Sequence, residues 1–186
     1  MQLSIIALVT FGMLLACVQC IGNDSISKYI IKGDFLTFGR SYTIESKLNA
    51  PTKFTTEWKL VHGKPGKKLI LKEDGKDLFI VKHSLLNLMS TWTISEAGSK
   101  RVLGSFENKG KFVGSKMEFN GEFGHFLIEG EFLNHEYTIT KDHEKVAEIT
   151  KKLLHVENTY ELSVFGKVPR GLMVLFTIIV DEIRKH

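Results

Sequence analysis

The side chains best able to catalyse a reaction are scattered along this chain of 186 residues. Its seven histidines include no set at the spacing of a zinc site, which needs three or four converging ligands. No serine lies in a Gly-x-Ser-x-Gly turn, and Gly114-Ser115-Lys116 lacks the spacing of a phosphate-binding loop. Glu129 and Glu131 alternate along a strand, which does not indicate an acid/base pair. The sequence therefore predicts a protein that is not an enzyme and has no metal or cofactor.

Lysine side chains offer the one chemistry with a pattern, which is the binding of anions. Lys151 and Lys152 directly precede one copy of a repeated segment, and Lys82 and Lys32 hold roughly equivalent places before two others. A headgroup site needs several ammonium groups close to one phosphate. If the copies superpose, these four lysines form such a site. The alternative is that they are solvated lysines that discourage pairing between sheet edges.

The charge balance limits the possible partners. The net charge is +4, and lysine supplies nearly all of the positive charge because the chain has only four arginines. Proteins that bind nucleic acid favour the forked guanidinium of arginine, so we expect no nucleic-acid partner. Three further lysines crowd one predicted turn and form a second cationic candidate: Lys64, Lys67 and Lys68.

One phrase recurs along the chain, an apolar pair followed at a fixed offset by an aromatic residue and then by an aliphatic residue two positions on. A β-branched residue stands four positions before each full copy, namely Ile31, Val81 and Ile149. Such repetition predicts one β unit used several times. The copies run from Phe35-Leu36 to Ile44, from Leu85-Leu86 to Ile94, from Leu153-Leu154 to Leu162 and, shortened, from Phe132-Leu133 to Ile139.

The segments between residues 25 and 168 have the pattern of short strands joined by turns. Trp92 and Ile94 alternate with Thr91 and Thr93, which is typical of a half-buried strand. Turn signals such as Asp74-Gly75 recur at the spacing of successive hairpins, which indicates an all-β sandwich or barrel. No linker interrupts the pattern, so we predict a single domain over residues 29–186.

The segment near the carboxyl terminus has a different pattern. Pro169 can open a helix, and residues 172–180 are then apolar all round. Such a helix must be surrounded by other elements, and it is too short to cross a bilayer. We therefore predict a helix threaded through the middle of a β-barrel, with the charges of Asp181 and Glu182 emerging at one mouth. The alternative is one more buried strand.

The amino-terminal segment is typical of a secretory signal peptide. The first 22 residues carry no charged side chain, and cleavage after Cys20 or Gly22 would place a small or apolar residue at the required positions. A mature chain would then lack cysteine, so no disulfide would stabilise it. Asn23 would begin a possible glycosylation site. If the segment were retained as an anchor, the positive-inside rule would place the domain in the cytosol.

Three stretches carry a family resemblance: Phe38-Gly39-Arg40-Ser41-Tyr42-Thr43-Ile44, Glu129 to Tyr137, and Ala147 to Lys152. With the apolar carboxyl-terminal helix they make the chain similar to LURP-one-related proteins from about Tyr29 onward. The resemblance implies a Tubby C-terminal-like fold, a closed antiparallel barrel of about twelve strands around a hydrophobic central helix. Relatives of that fold include the phosphoinositide-binding tubby proteins and the phospholipid scramblases. No catalytic residues are established for the family, so none is implied here.

These observations favour a secreted, monomeric, non-enzymatic module that binds a protein or lipid partner outside the cell. A membrane-tethered cytosolic domain that binds anionic lipid of the phosphoinositide type is one alternative. A lipid-handling protein related to the scramblases is another. Phosphoinositides face the cytosol, so cleavage of a signal peptide would separate the protein from that ligand.

Overall fold

Twelve strands and one helix are present in the part of the chain that the computed structural model describes, namely residues 26–34, 41–49, 52–60, 67–86, 89–99, 101–109, 116–131, 136–152 and 158–184. The predicted signal peptide and Asn23 lie outside these residues. The elements are β1 (Ser27–Asp34), β2 (Ser41–Ser46), β3 (Phe54–Leu60), β4 (Lys67–Glu73), β5 (Lys76–Leu86), β6 (Met89–Glu96), β7 (Val102–Asn108), β8 (Lys116–Gly121), β9 (Gly124–Glu131), β10 (Glu136–Lys141), β11 (Glu144–Lys151), β12 (Asn158–Val164) and α1 (Arg170–Arg184).

The strands close into one antiparallel barrel. Each strand pairs with its neighbours in sequence, and β1 closes the circle by pairing with β12 on one side and β2 on the other. Because successive side chains point to opposite faces of a strand, alternate residues enter the barrel and the rest face outward. The predicted mainly β, closed-barrel architecture is confirmed.

The repeated phrase is a hairpin seen several times. Its β-branched residue lies directly opposite its final aliphatic residue in all three full copies, as Ile31 opposite Ile44, Val81 opposite Ile94 and Ile149 opposite Leu162. These six side chains all lie in the buried core. The phrase therefore records a cross-strand pair with a fixed register, which is the unit that stabilises a sheet. The apolar pairs of three copies lie outside the described residues.

One seam of the barrel has a short ladder. The β2 and β3 strands share a single register pair, Thr43 opposite Thr55. Next to it, the Thr56 hydroxyl accepts a hydrogen bond from the Tyr42 N–H at 2.9 Å and donates one to the Tyr42 carbonyl at 3.1 Å. A threonine side chain thus replaces backbone pairing where these two strands diverge.

The helix α1 fills the barrel. Every residue from Gly171 to Ile183 is buried, so the alternative of a thirteenth strand is wrong. Phe176 lies at its middle, with the rings of Phe106, Phe119 and Phe126 at centroid distances of 5.3, 5.1 and 5.5 Å. Aromatic rings at such separations attract one another beyond the area that they bury.

Two paired glycines make room for this aromatic cluster. Gly104 in β7 lies opposite Gly121 in β8, and a Cβ atom on Gly104 would stand 2.4 Å from the ring of Phe119. A side chain at this position would therefore collide with the ring that packs against Phe176. The absence of a Cβ atom lets the wall approach the helix closely.

The two ends of the barrel differ in their connections. At the entry end, where α1 begins, tight turns such as Asp74-Gly75 join the strands, with φ angles of 48° and 80°. Aspartate and glycine tolerate this left-handed conformation and suit a two-residue hairpin. At the exit end, where α1 finishes, the connections between strands lie outside the described residues. The prediction that Asp181 and Glu182 emerge into solvent at this end is wrong, since their exposed fractions are 1% and 6%.

The central helix can be tested by removing the ring at its middle. Replacing Phe176 with Ala should lower the free energy of unfolding by about 3–5 kcal/mol, because the cavity left among three rings cannot collapse fully. Urea denaturation followed by tryptophan fluorescence measures the loss. Leu48→Ala is the control, since that side chain is half exposed and should cost less than about 0.5 kcal/mol. Equal effects of the two variants would contradict the enclosed helix.

Candidate functional site

Two of the four predicted lysines lie close together on the outer wall. Lys32 in β1 is directly opposite Thr159 in β12, and Lys152, just past β11, donates its backbone N–H to the Thr159 carbonyl at 2.8 Å. The prediction that lysines before different copies of the repeat meet on the barrel wall thus holds for this pair. Thr159 lies between them, and its buried hydroxyl has no hydrogen-bond partner.

Carboxylates already neutralise this pair. Lys32 Nζ is 2.6 Å from Glu45 Oε1, and Lys152 Nζ is 2.7 Å from Glu161 Oε2. Glu161 also accepts a hydrogen bond from Lys28 at 3.3 Å. The hydrogen bond from Lys152 is the main cause that lowers the pKa of Glu161 below its ordinary value. Lys32 and Lys152 therefore take part in ion pairs of the chain itself, and an anionic ligand would have to compete with those pairs.

The other two predicted lysines lie elsewhere. Lys151 is next to Lys152 in sequence but on the opposite face of the strand, and its ammonium group lies 6.0 Å from the centroid of the Tyr160 ring. Lys82 lies in β5, which β2, β3 and β4 separate from β1. The four predicted residues consequently do not form one site, because strand alternation divides the first pair and barrel order separates Lys82.

Lys82 belongs to a different cluster, which we call the lysine row: Lys59, Lys68 and Lys82. Lys59 in β3 is directly opposite Lys68 in β4, and Lys68 is directly opposite Lys82 in β5. Neighbouring strands lie about 4.8 Å apart, so three ammonium-bearing side chains stand side by side across the outer wall. The side chains of Lys59 and Lys82 are exposed.

Acidic side chains compensate this row only in part. Glu57 lies 3.1 Å from Lys59 but is shared with Lys72 at 3.0 Å. Lys68 and Lys82 make no ion pair within the described part of the chain. Like charges directly opposite each other on a sheet are destabilising. A negatively charged group above the row would relieve that repulsion.

Lys59 was not predicted from the sequence. The crowding of Lys64, Lys67 and Lys68 was recognised, but Lys64 lies outside the described residues and Lys67 is placed only by its backbone. The signal that would have found Lys59 is the register of the β3–β4 hairpin, which requires the position of the turn. Without it, the spacing between Lys59 and Lys68 has no meaning.

A second polar cluster lies inside the barrel at the exit end. The Tyr42 hydroxyl lies 2.8 Å from Asp181 Oδ2 and 2.5 Å from Glu182 Oε1, within hydrogen-bond distance of both carboxylates. The Tyr160 hydroxyl donates to Asp181 Oδ1 at 2.7 Å and accepts from Arg184 Nη1 at 3.2 Å. Buried carboxylates need such donors, because an unpaired buried charge is strongly unfavourable.

The electrostatics keep these phenols protonated. Burial raises the pKa of Tyr42 and of Tyr160 far above the ordinary value, and the negative charge of Asp181 raises both further. A phenol that stays protonated can only donate to the carboxylates around it. The cluster therefore anchors the last turn of α1 to β2 and β12, and it explains why two acidic residues end an otherwise apolar helix.

Neither metal-binding clusters nor membrane spans are found in the described segments. No three histidine, cysteine, aspartate or glutamate side chains of the described residues are grouped so that they could hold a metal ion. Among the described residues, no helix has the length and apolar character needed to cross a bilayer.

A closed twelve-strand barrel wrapped around a hydrophobic carboxyl-terminal helix defines the class of protein, one whose centre is occupied and whose outer wall is free to bind. The family model of LURP-one-related proteins matches residues 27–181. The chain therefore belongs to the LURP-one-related family, as its resemblance in sequence implied. Neither a search of curated proteins nor a search of solved structures finds a match.

The phenol anchor can be tested with paired tyrosine variants. Tyr42→Phe removes the donor to two buried carboxylates and should lower the free energy of unfolding by about 1.5–3 kcal/mol, the range for hydrogen bonds to charged groups. Tyr137→Phe is the control, since the buried Tyr137 hydroxyl has no hydrogen-bond partner and its removal should be neutral or stabilising. Urea midpoints of the two variants decide. A larger loss for Tyr137→Phe would refute the anchor.

Proposed function

We propose that this LURP-one-related protein is a secreted, non-enzymatic binding module whose outer wall recognises an anionic lipid surface through the lysine row. The observation that carries the proposal is the alignment of Lys59, Lys68 and Lys82 across three adjacent strands. Three facing ammonium groups with one shared carboxylate form a local excess of positive charge. Such an arrangement favours a ligand that supplies the missing negative charge.

The chemistry of the row fits binding rather than catalysis. An ammonium group donates hydrogen bonds and carries charge but accepts no hydrogen bond, and the row includes no base beside a nucleophile. Flexible lysine stems on a rigid sheet can adapt to headgroups of different shape. Juxtamembrane lysines each contribute about 1 kcal/mol to the attraction of an anionic bilayer.

The secretory part of the proposal is supported by the sequence. The uncharged first 22 residues contain both cysteines of the chain, Cys17 and Cys20. A cleaved protein would therefore reach an oxidising compartment without any thiol that could form an unwanted disulfide. The anionic lipid would then be on the outer surface of a membrane.

The lipid proposal predicts that the two groups of lysines behave differently. Lys68→Gln with Lys82→Gln should weaken binding to vesicles of phosphatidylcholine and phosphatidylserine by about 30-fold, at about 1 kcal/mol per lysine. Lys32→Gln with Lys152→Gln removes the same charge from lysines that already have carboxylate partners, and should change binding by less than about threefold. Co-sedimentation with vesicles measures both.

Three outcomes would count against the lysine row. Equal weakening in the two double variants would mean that only net charge matters. Unchanged binding in Lys68→Gln/Lys82→Gln would place the site elsewhere, and a wild-type protein that does not sediment with the anionic vesicles would remove the proposal. Pure phosphatidylcholine vesicles are the neutral control.

Cleavage is tested by expressing the full chain in a secreting eukaryotic cell. We expect the protein in the medium, with an amino terminus at Ile21 or Asn23, as determined by mass spectrometry of the first peptide. Leu14→Asp with Leu15→Asp interrupts the apolar run required for targeting and should keep the protein inside the cell. Recovery of wild-type protein with an intact Met1 in the membrane pellet would favour the tethered cytosolic alternative.

A further inference from the structure

A pocket of about 390 Å³ opens at the entry end of the barrel, beside the first residues of α1. Its size lies within the ordinary range for small-molecule sites. One wall is polar and the other is apolar, and the residues of the two walls come from different strands. The lysine row lies on the outer face of β3 to β5, so this pocket is separate from the proposed lipid surface.

Arg170 provides a positive charge in this pocket without a carboxylate partner. Its Nε donates to Ser27 Oγ at 2.8 Å, and the buried Ser27 in turn donates to the Asn49 carbonyl at 2.9 Å. These contacts fix the guanidinium group in place. No ion pair to Arg170 exists within the described residues, so its terminal N–H groups remain available. Arg170 is also the first residue of a fifteen-residue helix, whose positive dipole end adds to its charge.

Glu73 provides a negative charge in the same pocket and also lacks a partner. It is half-buried at the end of β4, and no cation of the described residues pairs with it. Its charge and that of Arg170 act on one point inside the barrel, the Tyr29 hydroxyl. Burial is the main cause that raises the pKa of this hydroxyl, with Arg170 opposing the shift and Glu73 adding to it.

The apolar wall faces these two charges. Phe79 and Phe123 meet edge to face with their centroids 6.2 Å apart, and Leu78 and Leu103 complete the surface. Phe123 and Leu78 are only partly buried, so part of their area is exposed in the pocket. Covering that area with an apolar group would be favourable at about 25 cal/mol per Å².

We propose that this pocket binds a small zwitterion with an apolar side group, for which an apolar α-amino acid is the simplest representative. The ligand carboxylate would lie against Arg170 and the start of α1. The ligand ammonium would lie against Glu73, and its side group would cover Phe79 and Phe123. The two partially desolvated charges of the pocket would each gain a partner that the chain itself does not supply.

Three related probes separate the parts of this site. L-phenylalanine has both charges, 3-phenylpropionate lacks the ammonium group, and 2-phenylethylamine lacks the carboxylate. Isothermal titration calorimetry of the full chain should show saturable binding of L-phenylalanine, at least about tenfold tighter than of either other probe, which is about 1.4 kcal/mol. This comparison uses the wild-type protein and depends on no variant.

Two variants assign the charges. Arg170→Gln should weaken L-phenylalanine and 3-phenylpropionate but leave 2-phenylethylamine unchanged, whereas Glu73→Gln should weaken L-phenylalanine and 2-phenylethylamine only. Lys116→Gln, which changes a lysine of the outer wall paired with Glu129, should alter none of the three. If Arg170→Gln unfolds because the contact with Ser27 is lost, Glu73→Gln still tests half of the site.

The proposal is overturned if L-phenylalanine gives no saturable heat, or if the three probes bind equally. It is also overturned if folded Glu73→Gln binds all three as the wild type does. Failure of this pocket leaves vesicle binding by the lysine row untouched, because the two sites share no residue.

Discussion

The whole architecture depends on enclosing a helix that has no polar face. In water, such a segment would expose apolar surface on every side, and only a continuous wall removes all of it. An α-helix suits the role because its backbone groups are satisfied internally. Around it, the inward residues of the strands supply matching apolar surface, with Phe176 at the centre of the aromatic contacts. The closed strand order is thus a consequence of what the barrel must cover.

Much of the fold could be predicted because its signals are local. Alternation in β6, the turn at Asp74-Gly75 and the apolar run after Pro169 each state their own structure without distant information. The repeated phrase added register, since Ile31, Val81 and Ile149 mark strand positions that face a known partner. These features carry both the barrel and its central helix.

The parts that could not be predicted depend on pairing across strands. Lys59 meets Lys68 only because of the β3–β4 register, and Lys32 meets Lys152 only because β1 closes on β12. The acidic end of α1 was misjudged for the same reason. Asp181 and Glu182 have the charge of surface residues, but Tyr42 and Tyr160, distant in sequence, supply the donors that let them stay buried. Local chemistry decides which side chains are present, whereas topology decides which of them meet.

The position of α1 at the end of the chain has a consequence for how the protein is made. Synthesis proceeds from the amino terminus, so all the strands leave the ribosome before the segment that occupies their centre. Closure of β1 on β12 likewise joins the first and last strands, and such distant pairings form slowly. Until the final residues emerge, the nascent sheet exposes its inner apolar face and unpaired edges, which are prone to aggregation. Folding of this barrel is therefore delayed to the completion of translation, and the unfinished chain requires protection by a chaperone throughout its elongation.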